Sequence, residues 1–308
     1  MAHGSHSDVA RGGSIVTVIG DALVDVRVLP AERMRAGGDV PASVDPRPGG
    51  QGSNIAVRLA RRGVRTRLVS RLADDAFGRL LREALADDGV ELVDLGAERT
   101  GVVVVILDGD GDRTMLSQRV ALHGGGLDPG IAAGSAWLVV SGYLLLEGRA
   151  GLSTSGADPR RAIVGCALDP AEADAWAASA ESLQPHLVVL NLDEARVLSA
   201  TDGAPAQLSQ ALAERFRALV VVTHAAGAVV VVGGAAVHVD QERVSPAHDT
   251  TGAGDAFTAV LVAELLDGDW PPSADTLRRA MASATTAAAA VTRVDGAQGR
   301  VPGEEGAA

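Results

Sequence analysis

Residues 252–255 read Gly-Ala-Gly-Asp and combine an anion-binding turn with a proton acceptor. They follow a β-rich segment and precede an apolar, helix-like run that begins at Ala256. The N–H groups and the positive dipole end of such a helix meet at this turn, and glycines let an anion approach the backbone closely. Asp255 can take the proton from a hydroxyl group that attacks a bound phosphate. The pattern therefore indicates phosphoryl transfer, although helix caps of purely structural role share it.

A second glycine-rich turn, residues 49–54 with the sequence Gly-Gly-Gln-Gly-Ser-Asn, precedes a segment of helical spacing that stops at Gly63. The turn exposes backbone donors, and the Asn54 side chain can both donate and accept hydrogen bonds. Asp25 follows the first predicted strand, residues 14–19, and in an open parallel sheet the end of such a strand faces the ligand crevice. These groups match the hydroxyls of a polyol.

The composition excludes several classes of function. The 308-residue chain has a net charge of −12, which opposes binding to nucleic acid because phosphate neutralisation needs a basic face. The chain contains no lysine, so a lysine-dependent phosphate loop and Schiff-base chemistry are excluded. A single cysteine, Cys166, precludes an internal disulfide and fits a reducing compartment. Neither a membrane span nor a secretory signal is visible, so we expect a cytoplasmic protein.

Strands and helices alternate over most of the chain, which predicts an α/β fold with a mainly parallel sheet and right-handed connections. A valine-rich run at 101–107 and its return at 113–119 predict a hairpin. Together with residues 26–29 and the region around 40–44, this hairpin predicts a small accessory sheet. We expect a single domain at 14–302, accessory-sheet segments at about 22–47 and 100–120, and disordered tails at 1–13 and 303–308.

With these elements in place, the chain resembles the ribokinase-like (PfkB) carbohydrate kinase family from about residue 15 to residue 302. Residues 49–63 resemble the N-terminal signature of the family, and residues 249–255 resemble its C-terminal signature. Residues 191–194, Asn-Leu-Asp-Glu, resemble the Asn-x-x-Glu motif, and residues 290–298 resemble the closing segment near the adenine and monovalent-cation sites. The resemblance implies the ribokinase-like three-layer fold, with the small sheet as a lid. It also implies ATP-dependent transfer of the γ-phosphoryl group to a hydroxyl, expected to be primary, of a small sugar or sugar derivative.

The resemblance further implies a role for each matching residue. Asp255 is implied to be the base, and the N–H groups of Gly252, Ala253 and Gly254 are implied to form the anion hole for the transferred phosphoryl group. Glu194 is implied to hold Mg²⁺ through water. The other implied contacts are to the sugar from Asp25, Gly49, Gly50, Asn54 and Glu147, to ATP from Asn191, Thr223, Gly227 and Gly254, and to K⁺, if the enzyme uses it, from Asp249 and Thr251.

The chain departs from the family pattern at four places. The loop from Thr223 to Gly227 reads Thr-His-Ala-Ala-Gly, one residue shorter than the family's Thr-x-Gly-x-x-Gly and without its first glycine. Gln51 stands where many ribokinases carry lysine, and Leu23 stands where ribokinases proper carry asparagine. One residue is inserted before Gly296. The two lost polar contacts weaken the case for ribose as the substrate.

Other functions stay open at this point. A nucleoside kinase of the same family, adenosine- or pseudouridine-like, would stack a base on aromatic side chains; the chain has one Tyr, three Phe and three Trp, which favours a plain sugar. A catalytically weak sugar- or nucleotide-binding protein is supported only by the irregular 223–227 loop. A NAD-linked oxidoreductase would need a Gly-x-Gly-x-x-Gly turn after a strand, which is not visible. The exposed edges of the lid predict a homodimer formed through the lid.

Overall fold

The computed structural model describes residues 13–107, 113–122, 129–146, 159–241, 250–301 and 304. Thirteen strands and eight α-helices lie in these ranges. The strands are β1 (Ile15–Ile19), β2 (Leu23–Pro30), β3 (Ala42–Gly49), β4 (Arg65–Ser70), β5 (Glu91–Asp94), β6 (Gly101–Leu107), β7 (Arg113–Gln118), β8 (Ser135–Ser141), β9 (Arg160–Val164), β10 (Leu187–Asn191), β11 (Leu219–His224), β12 (Gly227–Val232) and β13 (Ala235–Asp240). The helices are α1 (Gln51–Arg61), α2 (Ala76–Asp87), α3 (Gly142–Leu146), α4 (Ala173–Ser182), α5 (Leu192–Ser199), α6 (Pro205–Phe216), α7 (Ala253–Glu264) and α8 (Ala274–Val291).

Nine strands form the central sheet in the order β13-β12-β11-β10-β9-β8-β1-β4-β5. The seven strands from β11 to β5 pair in parallel, whereas β12 and β13 form an antiparallel hairpin at one edge. The apolar, mostly β-branched sequence of β1 suits a strand that is covered on both faces, and Val16, Val18 and Ile19 are fully buried. Since parallel strands run in one direction, the carboxyl ends of these seven strands meet at one edge of the sheet.

Helices cover both faces of the central sheet. Ile55 of α1, Leu81 of α2 and Leu277 of α8 pack in the core on one face. Trp176 of α4 and Leu208 of α6 pack in the core on the other face. The predicted α/β fold of three layers is therefore confirmed. No helix of the described residues has both the length and the apolar character needed to cross a membrane.

A separate four-stranded sheet has the order β3-β2-β6-β7. Strand β2 pairs antiparallel with β3 and parallel with β6, and β6 pairs antiparallel with β7. This is the predicted accessory sheet, although its β3 strand lies at Ala42–Gly49 rather than around 40–44. The predicted hairpin turn at 108–112 lies outside the described residues.

Helix α7 begins at Ala253, three residues earlier than the apolar pattern predicts. The pattern marks the first residues that face the core, whereas the helix starts where Gly252 takes a left-handed conformation (φ 79°) as its N-cap. The earlier start places Asp255 in the first turn of the helix.

Candidate active site

The candidate site lies where the carboxyl ends of β1, β8, β9 and β10 meet the first turns of α1 and α7. Helix α1 starts directly against the end of β1: a Cβ on Gly20 would lie 2.8 Å from the Cα of Gly52. The Ser53 N–H donates to the backbone oxygen of Asp21 (3.0 Å), which ties the two elements together. This close approach, which two glycines permit, carries Asn54 to the edge of the sheet.

The side chain of Asn54 meets that of Asp255, as Nδ2 of Asn54 donates to Oδ2 of Asp255 at 2.8 Å. The pKa of Asp255 is raised to about 7, mainly by burial and also by the nearby carboxylates of Asp21 and Asp25, while the Asn54 donor and the Arg58 charge oppose the shift. A carboxylate that titrates near neutral pH is suited to accept a proton during catalysis.

The turn before Asp255 provides room and donors for an anion. A Cβ on Gly252 would lie 2.6 Å from the Cβ of Ala297, so glycine is required there by both contact and backbone conformation. Gly254 has open space around it. The Ala253 N–H donates to the Thr250 carbonyl at 3.3 Å and closes the turn. Within the described residues, the N–H groups of Gly252 and Gly254 make no hydrogen bond.

Glu194 approaches the site from the start of α5. Asn191 and Glu194 form a capping box: the Asn191 N–H donates to the Glu194 carboxylate (2.8 Å), and the Glu194 N–H donates to the Asn191 side chain (2.9 Å). The pKa of Glu194 is raised to about 7, mainly by burial and also by the charges of Asp255 and Asp193, while the Asn191 N–H opposes the shift. Gly165, at the end of β9, leaves room for this carboxylate, because a side chain there would collide with it.

These residues fit a hard cation that is held mainly by a bound phosphate. Mg²⁺ prefers oxygen ligands and takes few of them from protein. The described residues contain no group of three or more His, Cys, Asp or Glu side chains arranged to hold a metal by themselves. The negative charge of Asp255 contributes to the raised pKa of Glu194, and a cation beside Glu194 would offset this repulsion between the two carboxylates.

The predicted sugar contacts are partly brought together. The Asp25 carboxylate on β2 lies against the backbone of Gly49, where a side chain would collide with it. Gly50 has a positive φ of 99°, and a Cβ there would lie 2.6 Å from the Asp21 carbonyl oxygen. Asp25 therefore stands beside the start of α1, close enough to Asp255 to raise its pKa. Glu147, the remaining predicted sugar contact, lies outside the described residues.

A cluster that sequence reasoning missed joins the small sheet to the central one. Arg119, which follows β7, forms an ion pair with Asp21, and its guanidinium lies 3.6 Å from the centre of the Tyr143 ring. Burial raises the pKa of Tyr143. The position of Asp21 just after β1 could have indicated a site residue, because the carboxyl end of a parallel strand faces the ligand crevice. Nothing in the sequence around Arg119 indicates that Asp21 is its partner.

Gln51 is a second residue whose role was missed. Its Nε2 donates to the Gly165 carbonyl (2.7 Å), and its Oε1 accepts from Ser141 Oγ (2.7 Å) and from the Gly142 N–H (3.1 Å). The side chain therefore links the ends of β8 and β9 to the first turn of α1. An amide can do this because it donates and accepts at once, which a lysine cannot.

The predicted nucleotide contacts are less closely grouped. Thr223 is the register partner of Asn191 on the neighbouring strand, and its Oγ1 donates to the Leu190 carbonyl at 3.3 Å. Gly227 is buried, and a side chain there would collide with the Val239 carbonyl. The shortened loop is thus a tight turn of the β11–β12 hairpin. Thr251 is half-buried at the start of the anion turn, and Asp249 lies outside the described residues.

The chain is similar to known proteins over nearly its whole length. A family model described as pfkB family carbohydrate kinase matches residues 15–303. A fructokinase of Klebsiella pneumoniae is 32% identical over 308 aligned residues, covering 93% of this chain and 96% of the relative. Among solved structures, a ribokinase of Cryptococcus neoformans var. grubii serotype A in complex with ADP has a TM-score of 0.75 at 21% identity, covering 96% of this chain and 99% of the other. An adenosine kinase of Sinorhizobium meliloti has a TM-score of 0.73 at 22% identity, with coverages of 92% and 95%.

Proposed function

Because the chain belongs to the pfkB family of carbohydrate kinases and is a sugar kinase, we propose that it transfers the γ-phosphoryl group of ATP to a primary hydroxyl of free fructose. The observation that carries this proposal is the Asn54–Asp255 hydrogen bond beside the anion turn. The carboxylate in this hydrogen bond has a pKa of about 7 and follows directly after the glycine turn in the chain, which supports its proposed role as the base. The similarity to fructokinases supports fructose among the possible sugars.

Each group of the site then has one chemical task. Asp255 takes the proton of the attacking hydroxyl, and the N–H groups of Gly252 and Gly254 stabilise charge on the transferred group. The Ala253 N–H, which donates to the Thr250 carbonyl at 3.3 Å, is the third donor predicted for this group. ATP arrives with Mg²⁺, whose charge offsets that of the phosphates. Glu194 and Asn191 would hold this cation through water.

Further contacts of the ligands are proposed from their positions. Asp25, Gly49, Gly50 and Asn54 face the sugar. Thr223 stays the predicted contact to ATP, and Gly227 contributes by shaping the hairpin turn. Thr251 stays the predicted K⁺ contact. The small sheet closes over the sugar and excludes water, which protects ATP from hydrolysis.

The charges around the site favour a sugar without charge of its own. The Arg119 guanidinium is engaged by Asp21 and by the Tyr143 ring, so an acidic sugar would have to displace a carboxylate to reach it. The carboxylates of Asp25 and Asp255 add negative charge at the same edge of the sheet. Because like charges repel strongly in a partly buried site, sugar acids and sugar phosphates should be poor substrates.

ADP release across a panel of acceptors tests the proposed function. The panel contains fructose, ribose, 2-keto-3-deoxygluconate, fructose phosphates, adenosine and pseudouridine, each with ATP and Mg²⁺ and with or without K⁺. We expect the highest kcat/KM with fructose and at least about tenfold less with the anionic sugars. Asp255→Asn, purified by the same procedure as the wild type, is the control for contaminating kinases. A strong response to adenosine or pseudouridine would instead assign a nucleoside kinase, and ATP binding without turnover on any acceptor would favour a binding protein.

We also propose that two copies of the chain associate through the small sheet. Among the described residues, five large hydrophobic side chains are more than half exposed, and all lie in this sheet or its connections: Leu29, Met34, Val44, Met115 and Leu116. The edge strands β3 and β7 offer free backbone groups for pairing. Exposed apolar side chains on a sheet with unpaired edges are typical of an interface.

Sedimentation velocity at micromolar concentration tests the association. We expect a dimer for the unmodified chain and a shift toward monomer in Val44→Glu, because a charge on β3 would be buried without a partner. Ala236→Glu is the matched control, since Ala236 is exposed on β13, the edge strand of the central sheet. A monomeric wild type, or equal shifts in both variants, would contradict the proposed interface.

A further inference from the structure

The C-terminal segment 296–299 reaches the base through a chain of two side-chain amides. Nε2 of Gln298 donates to Oδ1 of Asn54 (3.0 Å) and to Oγ of Ser53 (2.8 Å). Nδ2 of Asn54 in turn donates to Oδ2 of Asp255 (2.8 Å). We propose that Gln298 is a positioning residue for phosphoryl transfer, because it holds the Asn54 amide in the one orientation that presents a donor to the base.

The orientation of the Asn54 amide depends on its partners. The two ends of a side-chain amide have nearly the same shape, so hydrogen bonds alone decide which end faces which neighbour. In this structure the NH₂ group of Gln298 faces Asn54 and can only donate, so Asn54 turns its oxygen toward Gln298 and its NH₂ toward Asp255. Asn54 and Ser53 are buried, so water does not compete freely for these positions.

The donor on Asp255 has a direct consequence for its protonation. Burial and the charges of Asp21 and Asp25 raise the pKa of Asp255, whereas the Asn54 hydrogen bond is the largest opposing influence and the Arg58 charge adds a smaller one. Glu194 on α5 is close enough to sense this carboxylate, since burial and the charge of Asp255 both raise the pKa of Glu194. If Asn54 turned its oxygen toward Asp255, the amide oxygen would repel the carboxylate that the NH₂ group now attracts. The pKa of Asp255 would rise, and a smaller fraction of Asp255 would be ionised at neutral pH.

The backbone on either side of Gln298 is held by the helix that carries Asn54. Arg58 of α1 donates to the carbonyls of Ala297 (2.8 Å) and Gly299 (2.8 Å) and forms an ion pair with Glu304 (2.9 Å). Arg61 of α1 donates to the Gln298 carbonyl at 2.8 Å. These bonds set the position of the Gln298 side chain relative to Asn54.

The same segment also supports the anion turn. Gly252 packs against Ala297 so closely that a Cβ at 252 would lie 2.8 Å from the Ala297 Cα. Ala297 is buried. One short segment therefore contacts both the turn that receives the phosphoryl group and, through Gln298, the partner of the base. This inference rests on the proposed function of Asp255.

Gln298→Met tests the inference, because methionine is similar in size but cannot donate to Asn54. We expect the acidic limb of the kcat/KM profile to move upward by about one pH unit, which corresponds to roughly tenfold lower kcat/KM below pH 6.5 and recovery near pH 9. In an Asn54→Ala background, the same substitution should leave the limb unmoved, because Gln298 acts only through Asn54. Arg300→Met is the matched control, an exposed side chain in the same segment without contact to Asn54.

A readout that needs no turnover separates this inference from the proposed function. The protonation of Asp255 can be followed by carbon-13 NMR of labelled aspartate, assigned with Asp255→Asn. A higher pKa of Asp255 in Gln298→Met supports the inference even when no tested sugar is phosphorylated. The lack of phosphorylation would contradict the proposed function but not this inference. If Gln298→Met leaves both the pKa of Asp255 and the acidic limb of the kcat/KM profile at their wild-type values, the inference is overturned, whether or not the variant is less stable. If Gln298→Met does not fold, Gln298→Glu replaces it, since glutamate keeps the shape, cannot donate to Asn54 and can accept from the Ser53 hydroxyl instead of donating to it. Its added charge makes an unmoved titration equally decisive.

Discussion

Asp255→Asn is expected to lower kcat by about three orders of magnitude while leaving ATP binding nearly unchanged. An amide cannot take the proton of the attacking hydroxyl, and general base catalysis typically contributes about 10²- to 10⁴-fold. The Asn54 donor keeps an acceptor in the variant, because the oxygen of the introduced amide can replace the carboxylate oxygen that now accepts at 2.8 Å. Steady-state kinetics with fructose and titration of ATP into the protein measure the two quantities.

The same variant should be more stable than the wild type at alkaline pH. The pKa of Asp255 is raised from 3.8 to about 7 in the folded protein, so folding favours the protonated form. The favourable contribution is complete below pH 3.8 and is lost as the pH rises through about 7. Since the introduced amide stays neutral, we expect the Tm of the variant to exceed that of the wild type by a few degrees at pH 8, and the difference to shrink near pH 4.

These two results distinguish a lost base from a damaged fold. Asp202→Asn, which removes a carboxylate that is 97% exposed in the loop between α5 and α6, should change neither kcat nor Tm. Wild-type turnover in Asp255→Asn would exclude Asp255 as the base. A fall in both turnover and Tm at pH 8 would indicate instead that the carboxylate supports the fold.

The two glycines of the anion turn are expected to respond differently to the same substitution. Gly252→Ala forces a side chain into a left-handed backbone conformation and against Ala297, with a Cβ–Cβ distance of 2.6 Å. The turn must shift, and we expect a lower Tm and roughly 10²-fold lower kcat, comparable to the loss of one oxyanion donor. Gly254→Ala meets open space, so its Tm should stay at the wild-type value.

Gly254→Ala should still impair the reaction, because its methyl group enters the space that the phosphates of ATP must occupy. We expect a higher KM for ATP with a smaller change in kcat. Thermal unfolding and initial rates at varied ATP concentration measure both variants in one series. Equal effects of the two substitutions on Tm, or wild-type kinetics in both, would show that this turn does not form the anion site.

Local patterns in the sequence were sufficient for most of the architecture. The apolar run of β1, the valine-rich hairpin of the small sheet and the stop of α1 before Gly63 each depend on residues close together in the chain. The types of chemical group were also predicted from the sequence, since glycines before a helix indicate an anion-binding turn and a carboxylate that follows them can accept a proton. The start of α7 was predicted too late, because a left-handed Gly252 is stabilised by its packing against Ala297, far along the chain.

The partners of the site residues were decided only by the tertiary structure. Asn54 meets Asp255 across 201 residues, Gln298 meets Asn54 across 244, and Arg119 meets Asp21 across 98. No local propensity specifies which amide faces which carboxylate, because that depends on how helices and strands from distant segments pack. The sequence by itself therefore determined a parallel α/β fold with an anion turn followed by a carboxylate. Packing decided how that carboxylate is held and why its pKa lies at about 7, since burial and neighbouring charges exist only once the chain has folded.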